Sequence, residues 1–218
     1  ANPETDTCVV RQQDGKIIAY ADFWTGVTPH VRMYGFLRIN PEHKGQGAGT
    51  ALTQWMENRA REEMLKAPVG LKVTLGQRAY AVQTNARKFL ENCGYDHVRS
   101  SYRMTILLND EIPEPVLPER IALMTLEGGE DQLRRALKAQ QEAFLDHYGV
   151  IEEPFEDYYK REKTQILGDP TYDLSAGYMA LDGEEVAAVC INQTSRAGID
   201  NGGWVGTLSV RRPWRKQG

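Results

Sequence analysis

Residues 39–50 read Ile-Asn-Pro-Glu-His-Lys-Gly-Gln-Gly-Ala-Gly-Thr. Glycines at 45, 47 and 49 allow a close backbone approach that a Cβ would block. A glycine-rich turn between a strand and a helix gathers several N–H groups into one concavity with the helix dipole behind them, which is chemistry for holding phosphate. The candidates are Lys44, Gly45, Gln46, Gly47, Ala48, Gly49 and Thr50. Two rival glycine motifs fit worse. A P-loop ends in Gly-Lys-Ser/Thr, and Gly47-Ala48-Gly49-Thr50 has no such lysine; a dinucleotide fingerprint wants a third glycine where Thr50 stands.

A similar stretch recurs at the other end. Val210-Arg211-Arg212-Pro213-Trp214-Arg215-Lys216-Gln217-Gly218 has a β-branched residue, a proline, a cation at 215 and a glycine at 218. Upstream of each loop, apolar runs flank an Asp-Gly pair, Asp14-Gly15 and Asp182-Gly183, a strong hairpin signal. The Asp-Gly pairs lie 168 residues apart and the cations Lys44 and Arg215 lie 171 apart. Two features sharing nearly one offset predict a duplicated unit of roughly 170 residues.

The elements that must position the first loop follow from periodicity. Residues 8–12 and 16–24 predict a hairpin, and 31–39 a strand whose end Pro41 marks. Ala48, Ala51, Leu52, Trp55, Met56 and Ala60 recur at helical spacing, with Trp55 and Met56 read as core. A short strand at 70–75, a helix over 79–92 stopped by Gly94, and a last strand at 101–108 complete the first part. Residues 109–118 hold three prolines and three acids and predict a linker. Beyond it come a strand at 121–126, helices over 131–148 and 155–167, a hairpin at 176–191 and a strand at 203–210.

Strand hairpin, third strand, then Lys44-Gly45-Gln46-Gly47-Ala48-Gly49 opening a helix resembles the acetyl-CoA motif of the GNAT superfamily of N-acetyltransferases, with Lys where Arg or Gln is usual. Arg215-Lys216-Gln217-Gly218 resembles the start of the same motif, and two copies in one chain look like the tandem arrangement of the mycothiol synthase type. The resemblance implies an α/β fold with a mixed, α+β sheet: the GNAT acyl-CoA N-acyltransferase fold in two copies, each incomplete here. Residues 1–108 would be the first copy, lacking its opening strand and helices. Residues 119–218 would be the second, ending in its loop. The implied cofactor is acetyl-CoA, with pantetheine along Leu37, Arg38 and Ile39 in the first copy. In the second copy Leu208, Ser209 and Val210 would do the same, followed by Arg215, Lys216, Gln217 and Gly218. The implied reaction is direct attack of a primary amine on the thioester; the rival reading is a non-catalytic acyl-CoA-binding module.

That reaction needs a base for the amine, a donor for the developing oxyanion and a proton for the leaving thiolate. The resemblance puts the thiolate-protonating Tyr at Leu90, four places before Gly94-Tyr95, and the family's Asn at Gln83. Leucine donates no proton, so the first copy is expected to be a cofactor-binding scaffold and the second the active one. Tyr80, Tyr95 and Tyr102 are substitutes whose plainer reading is packed aromatic. Asp200 and Thr207 are relay candidates in the second copy, while Asp157, Tyr158 and Tyr159 read as a partly solvated helix face.

The net charge of −4 argues against wholesale nucleic-acid binding. Arg211, Arg212, Arg215 and Lys216 form a local basic cluster, readable as a solvated loop or as an attractor for the phosphates of coenzyme A. Three scattered cysteines, Cys8, Cys93 and Cys190, and four isolated histidines predict neither disulfide framework nor metal site. No apolar run approaches the roughly 20 residues of a membrane span. The expected location is the cytoplasm, and the expected partner a small-molecule amine.

Overall fold

The computed structural model describes residues 2–26, 30–108, 112, 114–127, 129–196, 198 and 201–217. They fall into two compact units, Ala1–Thr105 and Ile106–Gly218.

The first unit opens with a single helical turn, α1 (Pro3–Asp6), capped by the Asn2 side chain accepting from the Glu4 amide. It continues through β1 (Thr7–Arg11), β2 (Ile17–Trp24), β3 (Arg32–Ile39), α2 (Ala48–Met64), β4 (Thr74–Gly76) and α3 (Thr84–Asn92). The sheet order is β1-β2-β3-β4. The first three strands are antiparallel; α2 is the crossover that brings β4 parallel to β3. The Asp-Gly turn closes as expected, with Gly15 at φ +87° and the Lys16 amide donating to Asp14 Oδ1 at 2.9 Å.

Strand alternation decides which face is buried. Ala19, Ala21, Ala48, Leu52 and Met56 form the core, with Cys8, Val10, Leu37, Ile39, Trp55 and Leu75 packed around them. The helix thus lies on the face carrying Val10–Ala19–Ile39 and Cys8–Ala21–Leu37, which are cross-strand rows of the ladder. A second clamp holds the far end of α2. Glu63, 1% exposed, takes Arg59 and Lys66 each at 2.6 Å and lies 3.3 Å from His30 Nδ1; Arg59 also donates to the buried Asp6 at 3.0 Å. Burial pushes the Glu63 carboxyl up, but hydrogen bonds from Lys66 and Arg59 more than offset this and hold it below its ordinary value.

The second unit runs β5 (Ile121–Thr125), α4 (Gly129–Phe144), α5 (Phe155–Gly168), β6 (Tyr172–Asp182), β7 (Glu185–Gln193) and β8 (Trp204–Val210). Its sheet is antiparallel throughout, in the order β5-β6-β7-β8. Leu133, Ala136 and Leu137 of α4 and Tyr159 and Ile166 of α5 pack on Met179, Leu181, Val189 and Ile191.

Two expectations fail. Residues 101–108 form no ladder, and Tyr102 and Met104 are 86% and 89% exposed. Alternation supplies β propensity, but a strand exists only beside a partner, and β4 is just three residues long. The helix expected from 79 begins at Thr84, because Gln83 closes a turn first. Its side chain accepts from the Tyr80 amide at 3.1 Å and its own amide donates to the Tyr80 carbonyl at 2.9 Å.

Candidate functional site

The first glycine loop is built by what precedes and follows it. After β3, Asn40 caps a short 3-10 turn, Pro41–His43, accepting from the Glu42 amide at 3.1 Å. Lys44 leaves that turn extended, Gly45 takes φ +76°, and Gly47 takes φ +87° as the residue that starts α2. Left-handed backbone at two sites in three residues is the reason for glycine there. A Cβ on Gly45 or Gly47 would meet nothing within 4 Å, so the space over them is open. Gly49 has a different reason: its Cβ would lie 3.0 Å from Ile39 Cδ1 and 3.3 Å from Phe89, so glycine seats the helix against β3 and α3.

The first helical hydrogen bond runs from the Ala51 amide to the Gly47 carbonyl, 3.0 Å. The amides of Ala48, Gly49 and Thr50 therefore precede the ladder and have no intrahelical acceptor. They point out of the positive end of a 17-residue helix. Gly47 offers no side-chain cap to compete with a ligand. Lys44 and Gln46 are exposed beside them, and Gln46 Oε1 lies 3.4 Å from His43 Nδ1.

The strand leading into this loop has an open side along the residues where the resemblance puts pantetheine. β3 pairs with β2 along Tyr34 to Ile39, but with β4 only at Arg32, Met33 and Tyr34. Among the described residues no strand lies on the β4 side from Gly35 onward, so β3 and β4 fork and the backbone through Leu37, Arg38 and Ile39 faces the gap. A narrow extended chain carrying amide groups can enter such a fork and hydrogen-bond to the exposed edge.

The second loop repeats the backbone of the first. In each, the residue after the strand donates its amide back to the hairpin partner: Asn40 to Ile18, 2.8 Å, and Arg211 to Ala187, 2.9 Å. A 3-10 turn follows, Pro41–His43 or Arg212–Trp214. Lys44 has φ −66°, ψ 149°; Arg215 has φ −70°, ψ 148°. Gly45 at φ +76° is matched by Lys216 at φ +63°.

The electrostatics differ. Arg215 donates to Asp146 at 2.5 and 3.1 Å, to the Ala143 carbonyl at 2.7 Å and to the Val210 carbonyl at 2.9 Å. Arg212 reaches the same Asp146 at 3.1 Å, and Arg211 is held by Glu142 and Glu185, both at 2.8 Å. Hydrogen bonds from Arg215 and then Arg212, against some desolvation, hold Asp146 down at about 2. The basic cluster is thus neither a solvated loop nor a free phosphate attractor: its three arginines fasten β8 and its loop to α4 and β7.

The remaining candidates scatter. Tyr80 and Tyr102 are exposed. The Tyr95 hydroxyl is enclosed without a hydrogen bond of good geometry, and burial pushes the phenol up; Gln77, Glu57 and Cys93 surround it. Leu90 is half-buried on α3. Thr207 and Ser209 lie on the β8 face toward the α4–α5 core, where the Ser209 hydroxyl has no partner, while Leu208 points to the opposite face and is exposed. Tyr158 is half-buried and accepts from Gln140 at 2.7 Å. Asp200 and Gly218 lie outside the described residues. Among the described residues no group of His, Cys, Asp and Glu could hold a metal ion, and no helix is long and apolar enough to cross a membrane.

Residues 1–95, which contain the loop, the fork and α3, match the acetyltransferase (GNAT) family. A GNAT acetyltransferase domain over residues 1–95 is what this match supports. It is 36% identical over 84 residues to the S-alkylcysteine N-acetyltransferase of Bacillus subtilis (strain 168), a match covering 36% of this chain and 45% of that protein. It is 26% identical over 182 residues to a mycothiol acetyltransferase of Streptomyces bingchenggensis (strain BCW-1), covering 82% of this chain and 53% of that one. The crystal structure of a GCN5-related N-acetyltransferase from Sphaerobacter thermophilus superposes with a TM-score of 0.70 at 28% identity, over 97% of this chain and 63% of that one. The chain therefore spans about half the length of the curated relatives it matches. Relatives named as acetyltransferases agree with an enzyme that transfers acetyl groups.

Proposed function

We propose that the first unit binds acetyl-CoA, in a protein that transfers the acetyl group to the primary amine of a small molecule. The observation that carries this is the joining of two features at one place: amides without helical acceptors at the start of α2, and the fork where β3 leaves β4. Pyrophosphate oxygens would accept from the amides between Gly45 and Thr50, with Lys44 beside them. Pantetheine would lie along Leu37 to Ile39, its amides bonding to the strand edge. The developing oxyanion would form on the thioester carbonyl inside the fork. Two relatives named for small-molecule acceptors favour a small-molecule amine over a protein substrate.

The second unit is read as a second copy of the same fold. The support is the matched backbone of the two loops together with the matched ladders behind them: Ala19↔Ile39 in one unit and Ala188↔Val210 in the other. Its loop would use Leu208 to Val210 and Lys216 to Gln217 toward a second acetyl-CoA, with Arg215 as the brace of the loop and not as a phosphate ligand. The first copy would serve as a cofactor-binding scaffold, since Leu90 and Gln83 stand where the resemblance calls for a proton donor and an amide.

The test is calorimetric titration of the chain with acetyl-CoA, followed by thiol release on adding a panel of small primary amines. Binding with a stoichiometry of at least one, weakened by substitution at Gly47, supports the reading. Absence of binding overturns it. Binding with no thiol release for any amine would favour the non-catalytic acyl-CoA-binding alternative, which Leu90 makes specific for the first unit.

A further inference from the structure

The fork in the first unit has a closed end as well as an open one. Tyr34↔Gly76 is the last rung between β3 and β4, and Gly35 and Gln77 are the first residues beyond it on the two arms. Neither glycine takes a positive φ, so backbone freedom is not the reason for them. The reason is space. A Cβ on Gly35 would collide with Met56 Sδ and would lie 3.6 Å from Gln77 Cγ; one on Gly76 would lie 3.4 Å from Tyr34 Cδ1.

Strand alternation puts these two sites on opposite faces. Gly35 faces α2, where Met56 is fully buried in the core. Tyr34 and Gly76, one residue earlier on each arm, face the other way. The room left by the missing side chains is therefore already taken, by the tip of Met56 on one face and by the Tyr34 ring on the other. A chain entering from the glycine loop runs from Ile39 toward Gly35, over about 13 Å of strand edge at roughly 3.3 Å per residue. Its leading end then meets the Tyr34↔Gly76 rung. For an acyl-CoA laid along Leu37 to Ile39, that leading end is the acyl group.

Resting on the acetyl-CoA reading of this unit, we infer that the closed end of the fork is an acyl-length stop, with Met56 and Tyr34 as the residues that restrict the ligand to short acyl thioesters. The backbone rung blocks the way straight ahead. Met56 blocks the turn toward α2 at Gly35, and the Tyr34 ring blocks the opposite turn at Gly76. A longer acyl chain must displace one of the two. A closed apolar pocket discriminates against an extra methylene by about 10–200-fold.

The test is titration of the whole chain with coenzyme A, acetyl-CoA, butyryl-CoA and hexanoyl-CoA, followed by NMR of ¹³C-methyl-labelled methionine. The Met33 and Met56 signals, each assigned by its leucine variant, report on the first unit. Acetyl-CoA is expected to bind at least about tenfold more tightly than butyryl-CoA or hexanoyl-CoA. Met56→Ala and Tyr34→Ala should each bring butyryl-CoA up to the affinity of acetyl-CoA. Tyr34 is only partly buried, so its variant keeps the test decisive if trimming Met56 unfolds the unit. Wild-type chain that binds butyryl-CoA as tightly as acetyl-CoA overturns the stop, and so does a selectivity that survives in every variant that folds. Coenzyme A that shifts neither methionine signal is a different failure: it overturns the acetyl-CoA reading itself, and the stop falls with it.

Discussion

Gly47→Val separates the folding role of the glycine loop from its binding role. The site holds φ +87°, and an added Cβ meets nothing within 4 Å. The folding cost is therefore conformational, not steric. A left-handed non-glycine residue costs about 1–2 kcal/mol, with β-branching toward the upper end. For a unit of this size each kcal/mol lowers Tm by roughly 4–8 °C. The binding cost comes from filling the open space through which a phosphate must reach the amides. Losing one hydrogen bond to a charged group removes about 1.5–3 kcal/mol, or a factor of about 10–150 in Kd. Gly47→Asn controls for the backbone, because Asn visits the left-handed region more readily while still bringing a side chain into that space. Gly49→Ala should behave oppositely. Its Cβ strikes Ile39 and Phe89, an overpacking cost of about 1–3 kcal/mol with a smaller change in affinity. The assay is calorimetry with coenzyme A beside thermal unfolding of the same samples. Unchanged affinity in both Gly47 variants would refute the placement of the phosphates.

Three further outcomes follow from named contacts. Glu63→Gln leaves Arg59 and Lys66 facing a neutral, buried group and should cost the first unit about 3 kcal/mol in urea unfolding. Because the folded Glu63 carboxyl lies below its ordinary value of 4.5, the unfolded chain protonates first; the contribution is full above that value and is lost as pH falls through the folded one, so Glu63→Gln should flatten the acid limb of the stability curve. Arg215→Ala and Asp146→Asn should each loosen the second loop, and the double variant should fall short of their sum, as seen by hydrogen exchange at 211–217. Leu90→Tyr should be tolerated on the half-buried face of α3 within about 1 kcal/mol, and a larger thermal loss would mark Leu90 as core.

How far the sequence reached depends on the range of the interaction involved. Hairpins, the strand before the first loop and the helix after it are local: Asp14-Gly15, alternation along 31–39, and Leu52, Trp55 and Met56 at helical spacing locate them to within a residue or a few. Gly45 and Gly47 were legible because a left-handed residue is a property of one position. The fork was not legible, since it depends on β4 ending after three residues. The clamp on Arg215 was not legible either, because the Ala143 carbonyl and Asp146 come from the end of α4 and the turn after it, some 70 residues earlier. The failure at 101–108 has the same origin, as propensity is written in the segment and pairing is not.

The two sheets also differ in which face they clothe. In the first unit α2 covers Val10–Ala19–Ile39 and Cys8–Ala21–Leu37, while the row on the other face, Val9–Tyr20–Arg38, stays largely open; Val9 and Tyr20 are about 40% exposed. In the second unit the matching rows are dressed the other way round. Met179–Val189–Ser209 lies beneath α4 and α5, and Tyr178–Cys190–Leu208 is bare. An amphipathic strand surface left open on one side costs hydrophobic stabilisation, roughly 25 cal/mol per Å² of apolar area. Lysine stands in the left-handed region at 216 beside four hydrogen bonds from Arg215, to Asp146, the Ala143 carbonyl and the Val210 carbonyl, which offset a left-handed cost of about 1–2 kcal/mol; at 45, where among the described residues Lys44 makes no such bonds, glycine avoids that cost.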